Sequence, residues 1–448
     1  MRDLLILALV VGGALMALAR PWVGVMLWNW ISLMNPHRLA WGFAYSMPVA
    51  LIAGVATLLG LLFTKDKQSP FKGAPVWWLL LFFIWMTISW ALGYDPAGDH
   101  WMWDRSMKIF VMLFIALALL SNRYHIMAFV WVTVGSLAIL GTKGGLFTVL
   151  TAGNYRVWGP AGSFIEGNNE MALALIMTLP LMHFLQLQMK SAWARHAMSV
   201  ALLLCAAAAL GSHSRGAFVA IIVMVGLFWW RSPRKGPMFV LILLGAVALL
   251  PMLPEHWWDR MATIRSYEED ASAMGRINAW IVALEVAKDY ITGAGMTYQH
   301  QIFFNMYGVH ETVVRAAHSI YFEVLGNHGW IGLFLFLGLW FSTYWNAGWL
   351  RRHARQVPEA KWLADLGAMV QVGLVGYAAG GAFLSLAYFD LPYNMMVMVV
   401  LGRKWVETKG WERDPQESWL EYIGLRKPRK PQPPLSNPRA HPVRSGIR

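Results

Sequence analysis

Arg215, Arg265, Arg276 and His318 are the side chains of this 448-residue chain whose types and spacing best suit chemistry. Arg215 follows Ser214, precedes Gly216 and begins a long apolar run. Arg265 and Arg276 stand eleven residues apart, close to three helical turns, so one continuous helix would aim both the same way. Glu268, Glu269 and Asp270 lie between them and allow the plainer reading of a solvated, paired helix face. Trp280 follows Arg276 by one turn. A fourth feature is the segment 159–170, rich in glycine and asparagine, with Arg156 just ahead. Turns and helix starts explain that composition. The sequence contains no Asp-x-Asp pair and no His–Glu spacing of the kind that holds a metal. Several arginines without such a cluster suit a phosphate or pyrophosphate, which the guanidinium fork grips at two oxygens. Preorganised arginines stabilise charge on a departing pyrophosphate much as a metal would. A histidine titrates near pH 6.5 when unperturbed. His318 can therefore take a proton from an attacking hydroxyl, a step typically worth about 10²–10⁴ in rate.

The elements that must position these groups are membrane helices. Hydrophobic residues make up 57% of the chain and charged residues 14%, against about 25% charged in soluble domains. Mean hydropathy is +0.46. This composition excludes disorder and an ordinary soluble enzyme. The apolar runs are apolar all round, which fits helices rather than the alternating strands of a barrel. The class expected is all-α: a polytopic membrane protein. Candidate spans are 3–19, 21–35, 45–63, 76–93, 106–121, 126–150, 168–187, 197–213, 215–230, 237–251, 318–346, 363–389 and 391–405. The first reads as an uncleaved span, because Arg20 and Pro21 follow it in place of a small-residue cleavage site.

Net charge is +13. The surplus sits at helix ends, so the positive-inside rule explains it, and nucleic acid is not the expected partner. The basic loops 231–235 and 351–355 then face the cytoplasm, and 94–105, 153–169 and 252–317 face the periplasm. Positive-inside bias disfavours an arginine at position 215 on that side, which strengthens its functional reading. Thirteen crossings conflict in parity with that assignment. The expectation is therefore about 12 spans with both termini cytoplasmic, one early segment being merged or re-entrant. Four regions follow: membrane helices over 1–251, a long periplasmic loop over 252–317, further membrane helices over 318–405, and a basic, proline-rich tail over 406–448. Within the loop, 257–290 has helical periodicity that Gly293 and Gly295 break. From Arg426 onward the tail has seven basic residues, six prolines and no acid, a composition that does not pack. Cys205, the sole cysteine, allows no internal disulfide and reads as packing.

His318 and Ser319, followed after nine residues by Gly329 and Gly332, resemble the signature of the bacterial O-antigen ligase and polymerase superfamily. The long loop ahead of the motif resembles the family too, as do the stretch 214–217 and the pattern of Arg265, Arg276 and Trp280. The region 35–38 and the 159–170 loop are closest to a subgroup of O-glycosylation ligases of exopolysaccharide-type systems. The resemblance implies a GT-C-like membrane glycosyltransferase in the bacterial inner membrane, with its active site facing the periplasm. It implies metal-independent, inverting transfer without a cofactor. A glycan would pass from undecaprenyl pyrophosphate to a lipid A-core acceptor. On that footing His318 is the base, Arg215 binds the pyrophosphate, and Arg265 or Arg276 completes the clamp. Ser319 and Trp280 support the site, and Gly329 and Gly332 permit close helix packing.

Two other readings stay open. A polymerase, or an oligosaccharyltransferase acting on protein, would use the same donor with another acceptor. A transporter would place charge near the bilayer midplane, often in repeated halves. Lys143, inside a candidate span, is the one residue in its favour.

Overall fold

The computed structural model describes residues 1–231, 235–249, 255, 257–258, 271–309 and 312–414. Arg265, and the tail from 415 onward, lie outside the described residues. Every regular element among the described residues is helical. Bilayer-crossing chains have no water to pair open backbone, and helices satisfy it internally. The helices are α1 (Arg2–Ala19), α2 (Pro21–Met34), α3 (Val49–Phe63), α4 (Ala74–Ala91), α5 (His100–Leu119), α6 (Arg123–Leu150), α7 (Asn168–Gln188), α8 (Ala192–Leu210), α9 (Arg215–Arg231), α10 (Lys235–Leu249), α11 (Ala271–Asp289), α12 (Gln301–Tyr307), α13 (Ile320–His353), α14 (Lys361–Gly381) and α15 (Asp390–Glu407). Seven helices among the described residues are long and apolar enough to cross a membrane. The chain is a multi-pass membrane protein.

The three early segments stay separate, so the expected merger of one of them does not occur. Arg20 leaves helical geometry and Pro21 starts α2, a position where its missing N–H costs nothing. The ends of the described chain do not share a face either. The Asp3 carboxylate accepts the Ala44 N–H at 3.0 Å, which puts the start of α1 beside the 35–48 connection. Arg38, in that connection, borders Gly162, in the segment that leads to α7. At the other end of the bundle Lys404 donates to Ser69 O at 3.1 Å, and the Asp414 carboxylate accepts the Arg123 N–H at 3.3 Å. The N-terminus therefore lies at the 159–170 end and Asp414 at the opposite one. Residues up to 414 are also folded against the bundle, because the Trp405 indole donates to Asp414 at 3.1 Å. The packed part of the chain thus runs past the expected boundary at 406.

A break in α13 joins the bundle to the segment above it. Gly329 has φ 67 and ψ −172, inside what is otherwise one long helix. A Cβ there would stand 2.4 Å from Ile291 O, so only glycine fits. The carbonyls freed by the break find partners. The amides of Ala294 and Gly295 donate to Gly326 O and Asn327 O, each at 3.0 Å. Ser89 Oγ donates to Asn327 O at 3.0 Å and Trp85 Nε1 to His328 O at 2.8 Å. Asn327 accepts the Tyr298 N–H at 2.9 Å and donates to Met296 O at 2.8 Å. From α4–α5, Asp99 accepts the amides of Met296 and Thr297 at 3.0 and 3.1 Å. Gly329 therefore works by breaking a helix. Gly332 leaves room for His328, whose Cβ would lie 2.3 Å from a Cβ there, and for the Trp85 indole at 3.3 Å.

Over 271–289 the expected loop helix is present as α11, which ends at Asp289 ahead of Gly293, and residues 259–270 of that expectation lie outside the described residues. Ala279, Val282, Ala283 and Val286 form its buried stripe, packed with Phe303, Phe304, Tyr298 and Ala317, at the three- and four-residue steps of an amphipathic helix. Replacing Gly329 by Ala should destabilise the protein by at least about 1–3 kcal/mol, from the left-handed backbone alone. A thermal melt of the purified variant that matched wild type would contradict this account of the break.

Candidate functional site at the His318 end

His318 sits between the α12–α13 connection and the first turn of α13. Its backbone is left-handed, φ 44, an uncommon state for a non-glycine residue that structure around it must hold. The clamp is Trp280. Its indole donates to Ala317 O at 2.8 Å and its ring stacks on Phe322, centroids 4.9 Å apart at 9°. Arg276 is one turn earlier on α11, on the same face. Its charge acts on both His318 and Glu170. The arginine–tryptophan spacing thus has a mechanical meaning: the tryptophan fixes the histidine's strand, and the arginine arrives beside it.

Glu170 comes from the first turn of α7, where a carboxylate is favoured by the helix dipole. Its Oε1 lies 3.9 Å from His318 Nδ1. A Cβ on residue 167 would stand 2.0 Å from Glu170 Oε2, so Gly167 makes room for this carboxylate. His318 Nδ1 is buried and makes no hydrogen bond. Burial, helped by the positive charge of Arg276, lowers the His318 pKa to about 4. The ring is therefore neutral at neutral pH and has a free acceptor. Glu323, one turn into α13, lies near Glu170 and close to the Ala387 backbone. Its Oε2 is buried without a hydrogen-bond partner.

Arg215 opens α9 at the same end. Ser214 caps that helix, its Oγ accepting the Ala217 N–H at 3.2 Å. The preceding turn is tied to α7 and to the 151–167 connection. Asn168 Nδ2 donates to Ser212 O at 2.7 Å, the Val157 N–H donates to Gly211 O at 3.1 Å, and His213 Nε2 lies 2.8 Å from Gly153 O. Positions 216 and 381 carry glycine where the chain is tight. A Cβ at 216 would meet Phe383 at 2.9 Å, and one at 381 would meet Ile320 at 2.5 Å. The turn after α14 thus lies between Arg215 and the start of α13.

Of the residues singled out in the sequence, the fold gathers His318, Arg276 and Trp280 directly and brings Arg215 to the same end. Ser319 is the residue before α13, but its hydroxyl caps nothing and is buried without a partner. Arg265 falls outside the described residues. Glu170 and Glu323 were not singled out. Glu170 closes the 159–170 segment, whose turn-like composition hid a charged group beside the histidine. Among the described residues no three His, Cys, Asp or Glu side chains converge as metal ligands do. The arrangement offers a neutral imidazole, two carboxylates and cationic arginines at one end of a helical bundle. That combination can take a proton from a hydroxyl and hold an anion.

Trp280→Phe keeps the stacking and removes the hydrogen bond to Ala317. It should cost about 0.5–1.5 kcal/mol and raise amide exchange around 316–318. Unchanged exchange there would show that the indole is not the clamp.

Residues 200–337 match the family model described as O-antigen ligase. Residues 1–192 match a family of unknown function. Among curated proteins, none matches the chain. The first match contains Arg215, Arg276, Trp280, His318 and both motif glycines, the residues on which the sequence resemblance rests. The match over residues 200–337 is consistent with the O-antigen ligase family that the sequence resembles.

Proposed function

We propose that the protein is an O-antigen ligase-type glycosyltransferase, with its reaction centre at the His318 end, facing the periplasm. The observation that carries this reading is the His318 imidazole, held in strained backbone 3.9 Å from Glu170 and under the charge of Arg276, within the region that matches the O-antigen ligase family model. In the reaction, an acceptor hydroxyl gives its proton to His318 as its oxygen attacks the anomeric carbon of a lipid-linked glycan. The bond from that carbon to the pyrophosphate oxygen breaks, and undecaprenyl pyrophosphate leaves from the opposite face. The anomeric centre inverts. Arg215 and Arg276 hold the leaving pyrophosphate, with Arg265 as the further candidate. Glu170 stabilises the imidazolium once the proton has arrived, so Arg276 and Glu170 act on the ring in opposite senses. The acceptor is a sugar of the lipid A-core. Polymerisation of the glycan, or transfer to a protein hydroxyl, would use the same centre with another acceptor.

His318→Ala should lower transfer by about 10²–10⁴, while the protein remains folded in the membrane. A well-folded variant that transfers at the wild-type rate would remove the base assignment. Arg215→Lys keeps the charge but loses the planar fork, so transfer at limiting donor should fall. An unchanged rate would leave Arg215 as a membrane anchor. Transfer should persist in EDTA, because arginines supply the countercharge. Loss that a divalent ion reverses would contradict that part of the mechanism.

A further inference from the structure

A cavity of about 300 Å³ opens beside the first turn of α7, where Met171 forms part of its wall. Its walls include Leu39, Leu140, Phe147, Trp158 and Met171, and two cations, Lys143 and Arg156, line it. Met171 follows Glu170 directly, so the cavity and the candidate centre share one helical turn. Every lining residue belongs to the 1–192 region, whose family match carries no function.

Lys143 is the unusual member. It lies seven residues before the end of α6, about 10 Å below it, inside a segment long and apolar enough to span. Ile139, Leu146, Phe147 and Leu150 lie on the same face of α6 and are exposed, as is Lys143 itself. That face therefore looks into lipid. A lone cation there is costly, and charges at such depth pair with something. Among the described residues no carboxylate does this. Among the described residues neither Lys143 nor Arg156 has an ion pair or a side-chain hydrogen bond. Glu166, in the same connection as Arg156, instead accepts the Gly162 N–H at 2.8 Å.

We propose that this cavity binds the phosphate of an acidic phospholipid from the surrounding leaflet. Lys143 and Arg156 grip the phosphate, and the acyl chains run down the exposed face of α6. A lipid is the fitting occupant because the cavity opens beside a lipid-facing surface and its walls are largely apolar. An acidic one is required because two cations meet there with no protein counter-charge. Lys contributes a point charge and Arg a fork. The bound headgroup braces the 151–167 connection, which leads to Glu170. The site stands independently of the reaction proposed for His318.

The test is native mass spectrometry of the full-length protein released from nanodiscs of phosphatidylglycerol and phosphatidylcholine. Wild type should retain phosphatidylglycerol in preference to phosphatidylcholine. Lys143→Gln with Arg156→Gln should lower that occupancy on the order of tenfold, the loss of roughly one charge-assisted hydrogen bond. Lys143→Arg should restore it when Arg156 is intact. A thermal melt establishes that the double variant is folded. Equal retention of both lipids, or equal phosphatidylglycerol occupancy in the double variant, would overturn the proposal. Displacement of phosphatidylglycerol by an equimolar amount of undecaprenyl phosphate would also overturn it, and would give the pocket to an isoprenoid phosphate. None of these readouts requires glycan transfer, so failure of the ligase reading would be seen separately.

Discussion

The break at Gly329 is the constraint on which the arrangement depends. Inside a bilayer a helix cannot open unless other groups take up its freed carbonyls. Here the 290–298 segment comes down to do so, assisted by Ser89, Trp85 and Asp99 from α4 and the α4–α5 connection. That docking fixes the C-terminal end of α11, and α11 carries both Arg276 and Trp280. Trp280 then holds Ala317, and with it the left-handed backbone of His318. A helix defect eleven residues from the histidine and a tryptophan clamp above it are parts of one mechanical chain.

The electrostatics follow from this placement. A histidine in water would be partly protonated near neutral pH. Burial and Arg276 keep His318 neutral. Glu170, brought by a different helix, supplies the opposite charge at 3.9 Å. The ring thus begins unprotonated and has a partner waiting when it charges. The same end of the bundle holds Arg215, tied through Asn168 to the very turn that carries Glu170.

Much of this was legible in the sequence, for identifiable reasons. Helical periodicity is local, so α11 and the shared face of Arg276 and Trp280 could be read from spacing. The His318 motif carried the family. Apolar runs located helices, seven of which, among the described residues, are long and apolar enough to cross a membrane. What escaped depends on contacts between distant segments. Glu170 and Glu323 are 153 positions apart in sequence and meet only because α7 packs near α13. Gly329 looked like a packing glycine, since nothing in its neighbours announces a left-handed backbone. Charge bias reads sidedness only by counting crossings, so it gave no sign that Asp3 and Asp414 lie at opposite ends of the bundle. The Asp3–Ala44 contact resolves what loop charges could not.

The most direct test of the account is the rate of glycan transfer as a function of pH, for wild type and Arg276→Ala. His318 must be neutral to act as the base. With its folded-state pKa lowered to about 4, wild type should keep its base down through pH 6.5 and lose activity only as pH falls toward that value. Removing the Arg276 charge should raise the histidine's pKa and move the acid limb of the normalised profile to higher pH. A wild-type limb near the unperturbed value of about 6.5 that stays put in the variant would contradict the account.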